Sequence, residues 1–202
     1  MRPGEFRGIQ PGDLGFDGGG GLVGALIRRS TTSPWAHCFV VVAPAAPGYW
    51  VCHEAYPGGL RARPRHESTV GVLVRVWRTP EEQAAILARS HALVGTGYAY
   101  GELLRIAGHY CWRQRKAVLV AALLGALVGS TGILWGSLAL GVAGLLSLVP
   151  WDGARVICSN HAAQAALAAR PELAEWLRYP THQVWPGELA ASLQRFVWND
   201  LV

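Results

Sequence analysis

Apolar side chains crowd into three short runs in the first part of the chain. Residues 36–43, residues 49–55 and the run Val70-Gly-Val-Leu-Val-Arg-Val-Trp77 are rich in β-branched and aromatic residues. Short runs of that kind, bounded by Gly and Pro, read as strands. Ala43-Pro-Ala-Ala-Pro-Gly48 lies between the first two and predicts a hairpin connector. Leu60-Arg-Ala-Arg-Pro-Arg-His66 reads as an edge strand or an exposed loop. Helical patterns take up the rest. Leu22–Arg29 follows the glycines at 18–21, and Thr79-Pro-Glu-Glu opens a helix to about Leu93, with Thr79 as cap and Pro80 in the first turn. Tyr98–Trp112, an alanine-rich stretch from Cys158 to Ala169, a short piece after Pro171, and Pro186 to about Phe196 complete the set. The pattern predicts an α+β fold with a small antiparallel sheet packed on helices.

One segment breaks this rhythm. Residues 117–149 contain no charged side chain, and Ser130-Thr-Gly132 divides them into two apolar halves. The run passes the length of about 18 apolar residues at which membrane insertion is expected. A buried hairpin is the other reading, but a domain this small has little interior in which to hide both halves. We therefore divide the chain into a domain made of residues 1–116 and 151–202, and an inserted hydrophobic hairpin at 117–150.

The candidate chemistry sits at His37, Glu54 and Cys158. If the hairpin is symmetric about its connector, Val42 faces Tyr49 and His37 faces Glu54. Such partners have Cβ atoms about 4.5–5.5 Å apart, and a one-residue slip would put them on opposite faces. Cys158 lies where an apolar approach, Val156-Ile, meets the alanine-rich helix, with Ser159 and Asn160 as cap-region residues. A thiol at a helix N-terminus feels the positive end of the dipole, which favours the thiolate. Taken singly, His37 is a buried histidine satisfied by an acid and Cys158 a small core residue. Together they are the parts of a cysteine-nucleophile enzyme. Cys38 and His53, next to His37 and Glu54, are expected to point to the opposite face by strand alternation. His161, one turn after Cys158, is the second-choice base.

These residues fall in an order that resembles a known superfamily. Gly8-Ile-Gln-Pro-Gly-Asp-Leu-Gly-Phe16, the glycine-led helix 22–29, and Ser33-Pro-Trp-Ala-His37 look like the opening of the circularly permuted NlpC-type papain-like proteins. That group includes the YiiX-like proteins and lecithin retinol acyltransferase. Its pattern is a Pro-Gly-Asp turn, a His on a strand, a polar residue on the next strand, and a later Cys-Ser at a helix start. His37, Glu54 and Cys158-Ser159 match those places. Gly95-Thr-Gly-Tyr98 and Trp185-Pro-Gly-Glu-Leu-Ala190 resemble the family's Gly-x-x-Tyr and closing Pro-Gly-Asp-Leu segments. The position after the Tyr, often acidic in that family, is Ala99, and the apolar insertion separates Tyr98 from Cys158. The resemblance implies a permuted papain-like fold, Cys158, His37 and Glu54 as catalytic residues, and amide, peptide or lipid acyl substrates.

Composition narrows the partners. Lys+Arg 18 against Asp+Glu 13 gives a net charge of +5, yet Lys116 is the sole lysine and no basic stripe interleaves with aromatics. Nucleic-acid binding is not expected. Gly18-Gly-Gly-Gly21 lacks the Gly-Lys-Ser/Thr ending of a phosphate loop. Cys38, Cys52, Cys111 and Cys158 show no metal-ligand spacing. No metal or cofactor is expected, and the cysteines fit a reduced, cytosolic state. Met1-Arg-Pro-Gly-Glu-Phe-Arg7 has no apolar core of a secretory signal.

A shared site for His37 and Cys158 constrains the topology, because a single crossing would part them. The halves 117–129 and 133–149 span about 20 and about 26 Å as helices, against a hydrocarbon core of about 30 Å. A hairpin dipping in from one face fits best, and Arg105, Arg113, Arg115, Lys116 and Arg155 put that face in the cytoplasm. The expected partners are the lipid bilayer and a peptide, amide or lipid-linked acyl substrate. The expected protein is a membrane-associated cysteine-nucleophile hydrolase of amidase or peptidase type. The alternatives are a lipid acyltransferase or phospholipase-like enzyme of the same fold, a catalytically inactive membrane-bound scaffold, or an accessory protein whose hairpin perturbs the membrane. The oligomeric state is left open.

Overall fold

The computed structural model describes residues 8–56, 58–98, 157–177 and 184–199. The chain divides into two compact units, Met1–Tyr98 with Ala154–Val202, and Ala99–Gly153. The predicted helix beyond Tyr98 and the apolar hairpin 117–150 lie outside the described residues. Among the described residues of the first unit a five-stranded antiparallel sheet is joined by four helices. The strands are β1 (Leu14–Asp17), β2 (His37–Ala46), β3 (Tyr49–Tyr56), β4 (Gly59–His66) and β5 (Val72–Val74). The helices are α1 (Gly21–Thr31), α2 (Pro80–Ala92), α3 (Cys158–Ala169) and α4 (Pro186–Asn199), with single 3₁₀ turns at Glu67–Thr69 and Pro171–Glu175. The sheet order is β4-β3-β2-β1-β5.

The α+β class and antiparallel sheet are as expected. One interior strand is not, since β1 falls in the Pro-Gly-Asp stretch and pairs with both β2 and β5. Four residues of Leu-Gly-Phe-Asp are too short and too Gly-rich to stand out from periodicity. Gly15 is there for a reason of space: a Cβ at this position would collide with the ring of Phe39. Gly15→Val should overpack this contact and lower stability by roughly 1–3 kcal/mol, measured by thermal or denaturant unfolding.

The Pro-Gly-Asp turn itself is a clamp. Asp13 is buried; its carboxylate accepts from Arg75 Nε at 2.7 Å and Nη2 at 2.8 Å, and from the Gln10 backbone N–H at 2.9 Å. Gly12 takes φ +86 and donates to the Val41 carbonyl, tying the turn to β2.

The β2–β3 hairpin turns tightly at Pro47-Gly48, where Ala46 opposes Tyr49. The predicted connector is therefore mostly strand. Two register shifts, at Val41/Ala43 and Pro44/Ala46, then absorb residues on β2, and Glu54 opposes Phe39 rather than His37. Directly opposed side chains share a face, so His37, two residues from Phe39, is diagonal to Glu54 on that same face. Leu60–His66 is a full edge strand, paired along β3. Its Gly59 end is held by Gly95-Thr-Gly97: Leu60 N–H donates to the Thr96 carbonyl and Gly95 N–H to the Leu60 carbonyl.

The sheet has two dissimilar faces. Cys38, Val40, Leu14, Phe16 and Val74 meet α2, α3 and α4 in the main core, with Ile86, Ala162, Ala166, Leu189 and Leu193. Phe39, Val41 and Cys52 form a smaller cluster on the other face, under Ile9, Trp50, Val70 and Leu73. The small alanines of α3 let this helix lie close on β2 and α2. α2 begins as its sequence predicts, with the Thr79 hydroxyl accepting from the Glu82 N–H and Pro80 in the first turn.

Candidate active site

α3 starts at Cys158 itself. Its N-cap is Ile157, extended at φ −109 and ψ 165 and without a side-chain cap. Ser159 and Asn160, expected as cap-region residues, are instead buried in the first turn, because the helix begins at Cys158 with Ile157 in the cap position. The uncapped first-turn N–H groups and the helix dipole are thus left to act on Cys158.

The Cys158 sulfur rests against the start of β2. Its pKa is held well below that of a free thiol: the neighbouring Cys38 is the largest influence, burial opposes it, and His37 adds to it. His37 responds in the opposite sense. Burial alone would depress it, but the hydrogen bonds to Cys158 and Glu54 outweigh burial and raise its pKa to about 10. A thiolate facing an imidazolium follows at neutral pH.

Glu54 completes the group. Its Oε2 is 3.3 Å from His37 Nε2, and both side chains are buried. Burial pushes the Glu54 pKa up, while His37 and Arg65 pull it down by more, so Glu54 is ionised. Arg65 Nε donates to Glu54 Oε1 at 2.6 Å, and its Nη1 donates to Asp17. The guanidinium also lies 4.3 Å from the centroid of the Phe39 ring. Asp17 opposes His37 across the β1–β2 ladder and accepts the Gly19 N–H at 2.5 Å. A four-membered chain of alternating charge, Asp17–Arg65–Glu54–His37, therefore leads to the thiol. Tyr56 borders it, with its ring centroid 4.9 Å from that of His37.

Arg65 and Asp17 were invisible as site residues in the sequence. Arg65 reads there as one of several solvated arginines of an edge strand; the β3–β4 register opposes it to Trp50, and its side chain reaches along the sheet to Glu54. Cys38 alternates from His37 as expected and joins the main core, the same core in which Cys158 is buried. His53 does face away from Glu54: its Nδ1 lies 2.7 Å from Ser90 Oγ. That hydroxyl is in turn 2.9 Å from His161 Nε2. Burial lowers the pKa of His53 to about 4 and that of His161 to about 3, so both rings are neutral at pH 7. With its Nε2 committed to Ser90 and no carboxylate behind it, His161 is a poor base for Cys158.

Among the described residues no group of three or more His, Cys, Asp or Glu side chains could hold a metal ion. Among the same residues no helix is long and apolar enough to cross a membrane. Comparison with protein-family models, with curated proteins and with solved structures finds no match for this chain.

The arrangement has a chemical consequence for Glu54. Its charge favours the imidazolium and holds the ring in one orientation. Glu54→Gln keeps the shape and removes the charge, so the rate of any reaction through Cys158 should fall by roughly 10²–10⁴-fold. Far-UV circular dichroism of the variant should stay close to that of the parent, and single-turnover acylation kinetics measure the loss.

Proposed function

We propose that this chain is a cysteine-nucleophile hydrolase or acyltransferase with a permuted papain-like, NlpC-type fold. The observation that carries the proposal is the buried His37–Glu54 pair, 3.3 Å apart at the start of β2, with Cys158 at the N-terminus of α3, the helix that packs on β2; the depressed Cys158 thiol, with Cys38 and His37 as causes, agrees with it. The resting thiolate attacks an amide or ester carbonyl. A C–S bond forms, and the oxyanion takes hydrogen bonds from the Cys158 backbone N–H at the open helix start. The His37 imidazolium then gives its proton to the leaving amine or alcohol as the C–N or C–O bond breaks. The acyl-enzyme is resolved by water or another acceptor, activated by the now neutral His37. Asp17 and Arg65 act through Glu54, keeping it ionised and in place.

The chain order His, Glu, Cys and the short motifs around it support the NlpC-type assignment. The uncharged run 117–149 supports a membrane-associated enzyme with its catalytic domain on the cytoplasmic face, and favours a lipid or lipid-linked acyl substrate. Activity-based labelling with an acyl-type thiol probe, followed by identification of the modified residue, tests the catalytic part. Labelling at Cys158 is expected. A domain that leaves the probe unreacted is a scaffold rather than an enzyme.

The membrane part has its own expected outcome. The protein should sediment with membranes and resist extraction by high salt, because the attachment is apolar rather than ionic. Engineered cysteines near Arg113 and Arg155 should both be labelled from the cytoplasmic side. Labelling from opposite sides would indicate a single crossing and would rule out the hairpin.

A further inference from the structure

The arginines of β4 all lean the same way. Arg61, Arg63 and Arg65 oppose Glu54, Cys52 and Trp50 across the β3–β4 ladder, so they share the face that carries Glu54, Phe39 and His37. Their guanidiniums lie further along β3 than those partners do. Arg65 reaches Glu54 and Asp17, Arg63 lies over the Tyr56 ring, and Arg61 reaches over Gly58. Because β2 and β3 are antiparallel, that end of β3 lies beside the His37 end of β2. Tyr56 links the two: its ring centroid is 4.9 Å from that of His37 and 4.8 Å from Arg63 Cζ.

The charges on this face are unequally engaged. Asp17, Arg65, Glu54 and His37 pair with one another. Among the described residues no carboxylate pairs with Arg63, which is exposed and rests on the half-buried Tyr56. A positive charge on a fixed aromatic support therefore stands two short steps from the imidazole.

We propose that Arg63 selects the substrate of this site by binding an anionic group, a carboxylate or a phosphate, on the part of the substrate that leaves. The inference rests on the reading of Cys158 and His37 as nucleophile and acid. In that reading the Cys158 sulfur takes the acyl carbon, and His37 gives its proton to the leaving amine or alcohol. The leaving part therefore lies against His37, and Tyr56 and Arg63 come next on that side. Arginine suits the task, since its planar fork gives two parallel N–H bonds to a carboxylate or a phosphate. Stacking on Tyr56 holds the guanidinium in place before the substrate arrives, which lowers the ordering cost of binding. A charged edge strand also resists pairing with other chains, but that role needs only charge, and lysine would serve it as well.

The test uses the full chain and three hexanoate esters of para-substituted phenols, bearing a carboxylate, a phosphonate or a neutral carboxamide. Phenol release and intact mass follow the acylation of Cys158. Each rate is divided by that of the same ester with hydroxide, which removes differences between the leaving groups. At least one charged ester should acylate Cys158 roughly 10–100-fold faster than the carboxamide, and the faster of the two names the anion. In Arg63→Gln the preference should vanish. Arg63→Lys keeps the charge without the fork and should retain only part of it. Arg195→Gln, on α4, should keep the parent's preference. Charged esters no faster than the neutral one, or a preference that survives in Arg63→Gln, would overturn the role of Arg63; acyl-probe labelling of Cys158 then leaves the catalytic reading standing. A Cys158 that the acyl probe does not label would overturn both.

Discussion

Cys158→Ala is expected to abolish acyl-probe labelling and to lower turnover by roughly 10⁴-fold or more. The size follows from the mechanism, since among the described residues no other group is placed to form the acyl-enzyme. Ser159 is buried in the first turn, and its Oγ has no partner among the described residues to act as its base. His161 is neutral and bound to Ser90. Cys38 is fully enclosed and held protonated by burial. The substitution removes one sulfur from a site 9% exposed, so the loss of packing is small compared with the loss of chemistry. Unfolding midpoints measured alongside the labelling separate the two effects. Full turnover in Cys158→Ala would end the enzyme reading.

The sequence disclosed the parts that rest on local physics. Strands β2 and β3, helix α2 with its Thr79 cap, and α3 all follow from short-range composition. His37 and Glu54 were legible as a pair because they share a face whenever the hairpin register keeps its parity. The register itself was not legible. Two bulges and a tight Pro47-Gly48 turn depend on the twist of the whole sheet, and nothing in the connector announces them. The interior position of β1 was hidden for a similar reason, since its role is fixed by partners twenty and more residues away in sequence. Arg65, Glu54 and Asp17 come together only when the four neighbouring strands from β4 to β1 assemble. Cys38 shows the limit of alternation as an argument: the rule gives the face correctly but says nothing of which helix will lie on that face. The resemblance to the NlpC-type proteins rested on ordered short motifs. At least one of them, the Pro-Gly-Asp turn, has a structural task here, as Asp13 is consumed by Arg75 and the Gln10 backbone.

His37→Asn carries the second large effect, and its signature is a pH profile. In the parent, the imidazolium persists up to about pH 10, and the thiolate persists down to a pKa well below the ordinary value. Between those limits the ion pair is fully formed. The rate of Cys158 alkylation by a small reagent such as iodoacetamide should therefore be flat across neutral pH. It should fall only as acid protonates the thiolate. An unperturbed thiol behaves differently, gaining reactivity as pH rises through about 8.5. Removing the imidazole takes away one hydrogen bond and the positive charge that favour the thiolate, while burial, which opposes it, remains. The alkylation midpoint must then move upward, and reactivity at pH 7 must drop. The influence of Cys38 and the helix dipole remains, so the shift is partial and alkylation recovers at alkaline pH. Turnover does not recover, because Asn cannot pass a proton to the leaving group. A fall in turnover of roughly 10³–10⁴-fold at every pH, with alkylation restored by base, identifies His37 as both activator and acid. An alkylation profile unchanged in His37→Asn would mean that Cys38 and the helix dipole alone hold the thiolate, and the catalytic pair would have to be abandoned.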